Sequence, residues 1–260
     1  MKNELLTIGP FTVYGYGFMI AMAILAAYGT IMYRAGKQKI DTEKAFWLVI
    51  LCVAGGFAGA KVLFLITEWK GVLEDPLYYL QNVSDGFVVF GGILGGILTG
   101  YLYCRKQGLP FLACFDLVMP SIALAQGIGR IGCFLAGCCY GRETSCRLSV
   151  VFHDSDFAPN GVHLIPTQLY SCALDLLHFM VLLVIARHKK ADGQVAACYL
   201  IFYSIGRFCL EFLRGDENRG SIGMLSTSQF LSVFTLAGGI LLLVICGRRR
   251  AEARPHPWEP

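Results

Sequence analysis

The sequence predicts an all-α polytopic membrane protein with seven transmembrane helices. Of its 260 residues, 55% are hydrophobic and only 15% are charged, far from the balance of a soluble domain. The apolar residues run in blocks of about 18 or more, which is long enough to cross the hydrocarbon of a bilayer. The basic residues gather in short clusters between these blocks. We therefore expect lipid, rather than water, to surround most of the chain.

Each apolar block predicts one membrane crossing, with edges uncertain by several residues. The start of the chain lacks the pattern of a cleavable signal peptide, so the first block is expected to remain in the protein. The blocks lie near residues 13–33, 46–67, 87–104, 111–129, 169–186, 195–213 and 229–246.

The positions of the basic clusters predict the orientation. They follow the first, third, fifth and seventh blocks, and basic connections stay in the cytoplasm. The N-terminus is therefore expected outside and the C-terminus in the cytoplasm. The formal net charge of +4 does not indicate nucleic-acid binding, since these residues form no continuous basic face. The clusters are Arg34, Lys37, Lys39 and Lys44; Arg105 and Lys106; Arg187, Lys189 and Lys190; and Arg248, Arg249 and Arg250.

The longest connection, about 130–168, is predicted to form a small extracytoplasmic head. It contains the β-like stretch Leu148–Phe152. We expect one membrane domain over residues 1–250, head included, and a cytoplasmic tail over residues 251–260.

A lone arginine stands among glycines at the external end of the fourth block. A guanidinium at the lipid interface suits a phosphate, because its planar donors grip two oxygens at once. The glycines around it let a ligand approach the backbone closely. They are Gly129, Gly132 and, further along the chain, Gly141. The alternative is an interfacial Arg130 that reaches toward headgroups amid residues that pack helices.

The sixth block carries Tyr203, Arg207 and Glu211 at a spacing of four residues, which places them on one face of a helix. Ionisable groups within a span cost at least about 2.5 kcal/mol each and normally face the protein interior or an aqueous cavity. They are candidates for function. The alternative is an ion pair with a purely structural role.

Three further motifs are weaker signals. Gly91 and Gly92 could approach a ligand, but packing of helices explains them as well. Gln168 and Tyr170 could hold a headgroup at the start of the fifth block, or belong to a helix cap. Tyr16 could orient a ligand, although aromatic belts place such residues at the interface anyway.

Four cysteines fall together in the more polar segment after the fourth block. A disulfide from Cys138 or Cys139 to Cys146 would staple the head in an oxidising compartment. A zinc site is a rival, although the spacing, with Cys133 included, matches no familiar zinc template. Free thiols are the third alternative.

Taken in order, these motifs resemble those of the bacterial prolipoprotein diacylglyceryl transferases over essentially the whole chain. The motifs that carry the resemblance are Tyr16-Gly17, Gly91-Gly92, Gly129-Arg130-Ile131-Gly132, Pro166-Thr167-Gln168-Leu169-Tyr170 and Tyr203-x3-Arg207-x3-Glu211.

The resemblance implies a multi-pass enzyme of the bacterial cytoplasmic (inner) membrane, among membrane lipids. It would transfer a diacylglyceryl group from phosphatidylglycerol to the lipobox cysteine thiol of a preprolipoprotein, and no metal or organic cofactor is implied. By position, Arg130 and Arg207 would hold the phosphate and stabilise its charge as the carbon–oxygen bond breaks. Tyr16, Tyr203 and Glu211 would orient them.

The chain departs from the family pattern where a proton acceptor is expected. The family commonly has His before the Gly-Gly pair, and this chain has Phe90. Other family residues are replaced by Cys133, Cys138, Ile165 and Ser171. We therefore expect the thiolate to arise from solvent or from another residue. His153 and His163 are two histidines of the head that could act as the base.

Two alternative functions remain open at this point. A divergent paralogue would bind or transfer another lipid headgroup, as the replaced motif residues suggest. A small membrane transporter would line its path with the same intramembrane charges. No inverted repeat in the sequence supports the transporter.

Overall fold

The computed structural model describes residues 4–8, 11–38, 40–82, 86–216 and 220–252. Within these ranges, helices dominate and the strands are short. The elements, in chain order, are β1 (Glu4–Ile8), β2 (Phe11–Tyr14), α1 (Gly15–Lys37), α2 (Thr42–Thr67), α3 (Trp69–Glu74), α4 (Pro76–Gln81), α5 (Val89–Gln107), α6 (Phe111–Ala136), β3 (Val150–Val151), β4 (His163–Leu164), α7 (Thr167–His188), α8 (Gln194–Glu211), β5 (Ser221–Ile222), β6 (Leu225–Ser226) and α9 (Thr227–Glu252).

Each predicted apolar block coincides with one long helix. Five of these helices, α1, α2, α6, α7 and α9, are long and apolar enough to cross a membrane. The prediction of an all-helical, multi-pass membrane protein is confirmed at this level. Helix α6 continues to Ala136, so Arg130 lies inside a helix and the head begins later than expected. The expected tail over 251–260 falls outside the described residues, except that residues 251 and 252 continue α9.

The chain divides into two compact units, Met1–Ile31 with Phe115–Pro260, and Met32–Cys114. In the second unit, α2 and α5 pack with their backbones in close contact. A Cβ atom added to Gly91 would lie 2.3 Å from the carbonyl oxygen of Gly59, and one added to Gly95 would lie 2.4 Å from that of Gly55. Only glycine permits this approach, as in other membrane helix pairs with small residues one turn apart.

In the first unit, α6, α7 and α8 share a buried core. A carboxylate on α6 supports the start of α8: Asp116 accepts hydrogen bonds from the backbone N–H groups of Gly193 (2.9 Å) and Ala196 (3.0 Å). Lys189 lies 3.2 Å from the same carboxylate. Helix N-termini leave N–H groups without intrahelical partners, and a buried anion satisfies them. The core residues are Met119, Ala123, Leu182, Val195, Ala196 and Tyr199.

The head between α6 and α7 is a small folded element. Strands β3 and β4 pair antiparallel, with Val150 opposite Leu164. Buried Phe152 and Leu164 form its core, and Phe152 contacts Phe134 of α6 at 5.9 Å between ring centroids. The β-like stretch expected from the sequence is present, although only two of its residues form a strand. The head therefore rests on the C-terminal end of α6.

Candidate active site

The predicted stripe on α8 is formed as expected. The Arg207 guanidinium lies 3.1 Å from the Glu211 carboxylate, and it donates a hydrogen bond to Ser228 Oγ at 2.7 Å. Glu211 is 4% exposed. Tyr203 stacks in parallel on Tyr199, with ring centroids 5.9 Å apart. The arginine is thus held in one orientation by a carboxylate and a hydroxyl.

A pocket of about 240 Å³ brings the two predicted arginines together. Arg130 comes from α6 and Arg207 from α8, with α7 forming the third wall. Two guanidinium groups lining one cavity form a strong site for an anion with several oxygens. The lining residues are Arg130, Ser171, Leu174, Asp175, Leu177, His178, Val181, Phe202, Tyr203, Gly206, Arg207 and Leu210.

Helix α7 contributes two ionisable residues that the sequence analysis missed. Asp175 and His178 are both buried and both line the pocket. The His178 ring stacks on Tyr199 at 5.1 Å between centroids, and its Nε2 atom has no hydrogen-bond partner among the described residues. The signal was available, because two ionisable residues inside an apolar block deserve the same attention as those of α8.

The rest of the pocket wall is apolar and open on one side. Leu177 is 60% exposed, and Leu174 and Val181 of the same helix and Phe202 of α8 are also exposed. The cavity therefore combines cationic groups with an apolar wall that continues onto the exposed surface of α7 and α8, a combination suited to an amphiphile.

The glycines next to Arg130 serve the contact between α1 and α6. A Cβ atom added to Gly132 would lie 3.1 Å from Met19 Cβ and 3.4 Å from Tyr16 Cδ2, and one added to Gly129 would lie 3.9 Å from Ile20. Tyr16 is thereby placed against the last turns of α6, close to Arg130, with 44% of its surface exposed.

The residues at the start of α7 hold the loop that follows α6. Thr167 Oγ1 donates to the carbonyl of Cys139 and Gln168 Nε2 to that of Cys138, each at 2.8 Å. Gln168 is almost fully buried, whereas Tyr170 is exposed. Neither residue lines the pocket.

Gly141 has a backbone role. Its N–H donates to the carbonyl of Ile165 at 3.0 Å, and it forms a β-bridge with Arg214. A Cβ atom here would lie 2.5 Å from the Ile165 oxygen. Gly91 and Gly92 lie in the other compact unit, where Gly91 is committed to packing against α2. Phe90 precedes them on α5 and is 49% exposed.

The histidines of the head do not line the pocket. The His163 ring is hydrogen-bonded to Ser149 Oγ at 2.8 Å, and His153 is exposed. Neither arrangement supports a role as the proton acceptor.

Three of the four cysteines converge. The sulfur atoms of Cys133, Cys138 and Cys139 all lie within 4.8 Å of one another. All three are thiols, as is Cys146, which is exposed in the head, so no disulfide staples this segment.

Comparison with known proteins gives a consistent result over nearly the full length. The family model described as prolipoprotein diacylglyceryl transferase matches residues 3–245. The chain is 45% identical over 245 residues to the phosphatidylglycerol–prolipoprotein diacylglyceryl transferase of Clostridium tetani, covering 94% of this chain and 98% of the relative.

Two further relatives carry similar names. The chain is 46% identical over 230 residues to phosphatidylglycerol–prolipoprotein diacylglyceryl transferase 2 of Clostridium perfringens, covering 88% of this chain and 90% of that one. It is 31% identical over 258 residues to the transferase of Staphylococcus haemolyticus, covering 97% and 90%.

Proposed function

Because this chain belongs to the prolipoprotein diacylglyceryl transferase family, we propose that it transfers the diacylglyceryl group of phosphatidylglycerol to the lipobox cysteine thiol of preprolipoproteins. The observation that carries the proposal is the pocket lined by Arg130 and Arg207, whose wall also includes Asp175 and His178 and is otherwise largely apolar. Such a pocket matches a lipid with a charged phosphate and two acyl chains.

In the proposed complex, the phosphate lies between the two guanidinium groups. Each can donate two hydrogen bonds to phosphate oxygens, and the apolar surroundings strengthen these interactions. The acyl chains extend along the apolar surface of α7, where Leu177 is exposed. Phosphatidylglycerol would enter sideways from the bilayer without leaving it.

The reaction is a nucleophilic displacement at carbon. The thiolate sulfur attacks the carbon of the diacylated glycerol that is bonded to the phosphate oxygen. A sulfur–carbon bond forms, and the bond from this carbon to the phosphate oxygen breaks. The electron pair stays on the phosphate oxygen, and glycerol phosphate leaves. Arg130 and Arg207 stabilise the charge that grows on this oxygen.

Glu211 and Tyr203 act as positioning residues in this scheme. The Glu211 carboxylate lies 3.1 Å from the Arg207 guanidinium, one turn away on the same helix, and this ion pair orients the arginine side chain. Tyr203 lies between Arg207 and the stacked ring of Tyr199 along the same helix face. Preorganised donors of this kind need not reorient as charge develops.

We further propose seven crossings, with the N-terminus outside and the C-terminus in the cytoplasm of a bacterium, in its inner membrane. Helices α5 and α8, of 19 and 18 residues, would then cross in addition to the five more apolar helices. In this orientation, Arg105, Lys106 and Lys189 lie on the cytoplasmic side, as basic residues near membrane spans do. Residues 1–250 would form one membrane domain whose head meets the preprolipoprotein outside.

A second candidate has one specific observation in its favour. The motif positions Phe90, Cys133 and Cys138 differ from the family pattern, and two of them belong to a cluster of thiols. A divergent paralogue that acts on a different lipid headgroup would explain these changes.

Complementation separates the two candidates. Cells depleted of their own diacylglyceryl transferase would express this chain, and the mobility shift of a reporter lipoprotein would report modification. We expect rescue by the wild type and by Arg187→Ala, an exposed control on α7, but not by Arg130→Ala or Arg207→Ala. Failure of a well-expressed, correctly inserted wild type would favour the paralogue.

A further inference from the structure

Three thiols meet where α6 ends. Cys133 belongs to the last turn of α6, and Cys138 and Cys139 to the loop that follows. Their sulfur atoms lie within 4.8 Å of one another, and each residue is half-buried. The proposed chemistry at Arg130 and Arg207 does not use any of them.

The loop is held in the conformation that brings the sulfurs together. The N–H of Cys138 donates to the carbonyl of Cys133 at 3.1 Å. Thr167 and Gln168 bind the carbonyls of Cys139 and Cys138 from the other side. Cys139 has a φ of 59°, a left-handed conformation that is unfavourable for a side chain with a Cβ atom. Such conformations persist where the surroundings enforce them, often at functional sites.

Two features beside the cluster suit a bound cation with thiolate ligands. Arg130 lies one helical turn before Cys133, and Arg214 forms a β-bridge with Gly141, two residues after Cys139. Three thiolates around a divalent cation leave one negative charge, which these arginines would balance. The buried Gln168 Oε1 atom has no hydrogen-bond partner among the described residues. It is therefore an unsatisfied acceptor on a side chain that contacts the loop through its Nε2 atom.

We propose that Cys133, Cys138 and Cys139 bind a zinc ion and leave its fourth coordination position open. Thiolates are soft ligands that favour zinc among common divalent cations. Three protein ligands with one open position are typical of zinc sites that act on a substrate, whereas structural sites are closed by four.

The fourth ligand follows from the proposed function, on which this step rests. The acceptor of the transferase reaction is itself a thiol, and a thiol bound to zinc loses its proton. The proton passes to solvent, and the zinc-bound sulfur attacks the glycerol carbon. As the sulfur–carbon bond forms, the carbon–oxygen bond breaks and glycerol phosphate leaves with the electron pair. Zinc keeps its oxidation state throughout. Thiolate would thus be formed in a chain that has Phe90 where the family commonly has His.

Metal analysis of the purified full-length protein in detergent tests the site without any reference to activity. We expect about one zinc per chain, bound through the three thiols. Cys133→Ser, Cys138→Ser and Cys139→Ser should each lose it, whereas Cys146→Ser, which changes an exposed thiol of the same segment, should keep it. Wild-type protein that takes up no zinc when it is offered would overturn the proposal. Equal loss in Cys146→Ser would overturn it as well.

Cobalt(II) keeps the test decisive if a serine variant does not fold. Wild-type protein loaded with cobalt should show a thiolate-to-metal charge-transfer band that zinc abolishes. A lipobox peptide should then raise this band by roughly one third, as three sulfur ligands become four, while a peptide with Ser in place of Cys should not. No band would overturn the site, and a band insensitive to the Cys peptide would overturn the fourth ligand.

The outcomes for the metal site and for the proposed function are separable. Zinc bound in a protein that transfers no diacylglyceryl group would retain the site and reject the function. Full transferase activity in zinc-free protein would retain the function and reject the role of zinc.

Discussion

The guanidinium of Arg207 lies 3.1 Å from the carboxylate of Glu211, one helical turn further along α8, and both side chains are mostly shielded. Isolated charges in so buried a position would be unfavourable, and pairing lowers their free energy. The same guanidinium lines the pocket with Arg130. The ion pair and the pocket therefore share Arg207, and in the proposed complex Glu211 would orient Arg207 toward the phosphate.

Removal of the Arg207 guanidinium is expected to abolish most activity. Arg207→Ala should lower kcat/KM by about 10²–10³-fold, because a donor to the developing negative charge is lost. Arg207→Lys should recover only part, since an ammonium cannot grip two oxygens in one plane. Initial rates of glycerol phosphate release from phosphatidylglycerol vesicles would measure both. Arg187→Ala is the control, and a comparable loss there would contradict the assignment.

Neutralising Glu211 should act through Arg207. Glu211→Gln keeps the shape of the side chain but weakens its hold on the guanidinium, so we expect kcat to fall roughly tenfold, about 1.4 kcal/mol, with KM less affected. If the ion pair were purely structural, Glu211→Gln would instead lower the midpoint of thermal unfolding and leave the kcat of the folded enzyme unchanged. Kinetics and thermal unfolding on the same preparation distinguish these results.

Introducing the family's histidine tests whether a general base is missing. For Phe90→His we expect a gain below about threefold, far less than the roughly 10²–10⁴-fold that a general base supplies, because thiolate is formed elsewhere. Phe90→Tyr is the matched control for a change of ring. A gain of two orders of magnitude would show that the wild-type chain lacks any effective proton acceptor.

The contact between α2 and α5 should tolerate no side chain at Gly91. Gly91→Ala places a Cβ atom 2.3 Å from the Gly59 oxygen, which must move. We expect a destabilisation of about 1–3 kcal/mol, typical of overpacking. Gly29→Ala, with no atom within 4 Å of the added Cβ, is the control. Thermal unfolding in detergent would decide, and equal midpoints for the two variants would contradict the close packing.

Loss of the Asp116 carboxylate should destabilise the junction between α7 and α8. Asp116→Ala leaves the N–H groups of Gly193 and Ala196 without their acceptor. Each unsatisfied N–H group should lower the free energy of unfolding by about 1–3 kcal/mol. Asp192→Ala removes only an exposed partner of Lys189 and should cost less than about 1 kcal/mol. Thermal midpoints that fall equally in the two variants would contradict this role.

The pH dependence of this junction has a defined sign. Burial disfavours the charge of Lys189, but its hydrogen bond to Asp192 and the charge of Asp116 outweigh this and raise the pKa of Lys189. Lys189 therefore makes its full contribution to the free energy of unfolding below about pH 10.4, the pKa of a lysine in the unfolded chain. This contribution is lost as the pH rises through the higher pKa of Lys189 in the folded protein. The midpoint difference between wild type and Lys189→Met should shrink above that pH.

The sequence was sufficient for the helices and for one face of the site. Apolar blocks long enough to cross a bilayer form helices, because a helix satisfies all its backbone hydrogen bonds within one segment. The spacing of Tyr203, Arg207 and Glu211 then places the three side chains on one face of their helix. The sequence does show Asp175 and His178 as ionisable residues inside an apolar block. It could not show that they line the pocket, since this depends on which face of α7 meets α6 and α8.

The meeting of the three thiols was also beyond sequence reasoning. Cys133 and Cys138 are brought together by the turn through Gly137 and Cys139, both with positive φ, and by Thr167 and Gln168 some 30 residues later. No spacing rule contains that information. The short helices α3 and α4 and the β1–β2 hairpin were missed because their segments carry only weak periodicity.

The most direct test of the account is transfer by the purified protein in vesicles of phosphatidylglycerol, supplied with a lipobox peptide that has either Cys or Ser at the acceptor position. We predict a mass increase of one diacylglyceryl group on the Cys peptide only, with release of an equal amount of glycerol phosphate, and loss of both in Arg130→Ala. Glycerol phosphate release that does not depend on the cysteine, or an unmodified Cys peptide with well-folded wild-type protein, would contradict the account.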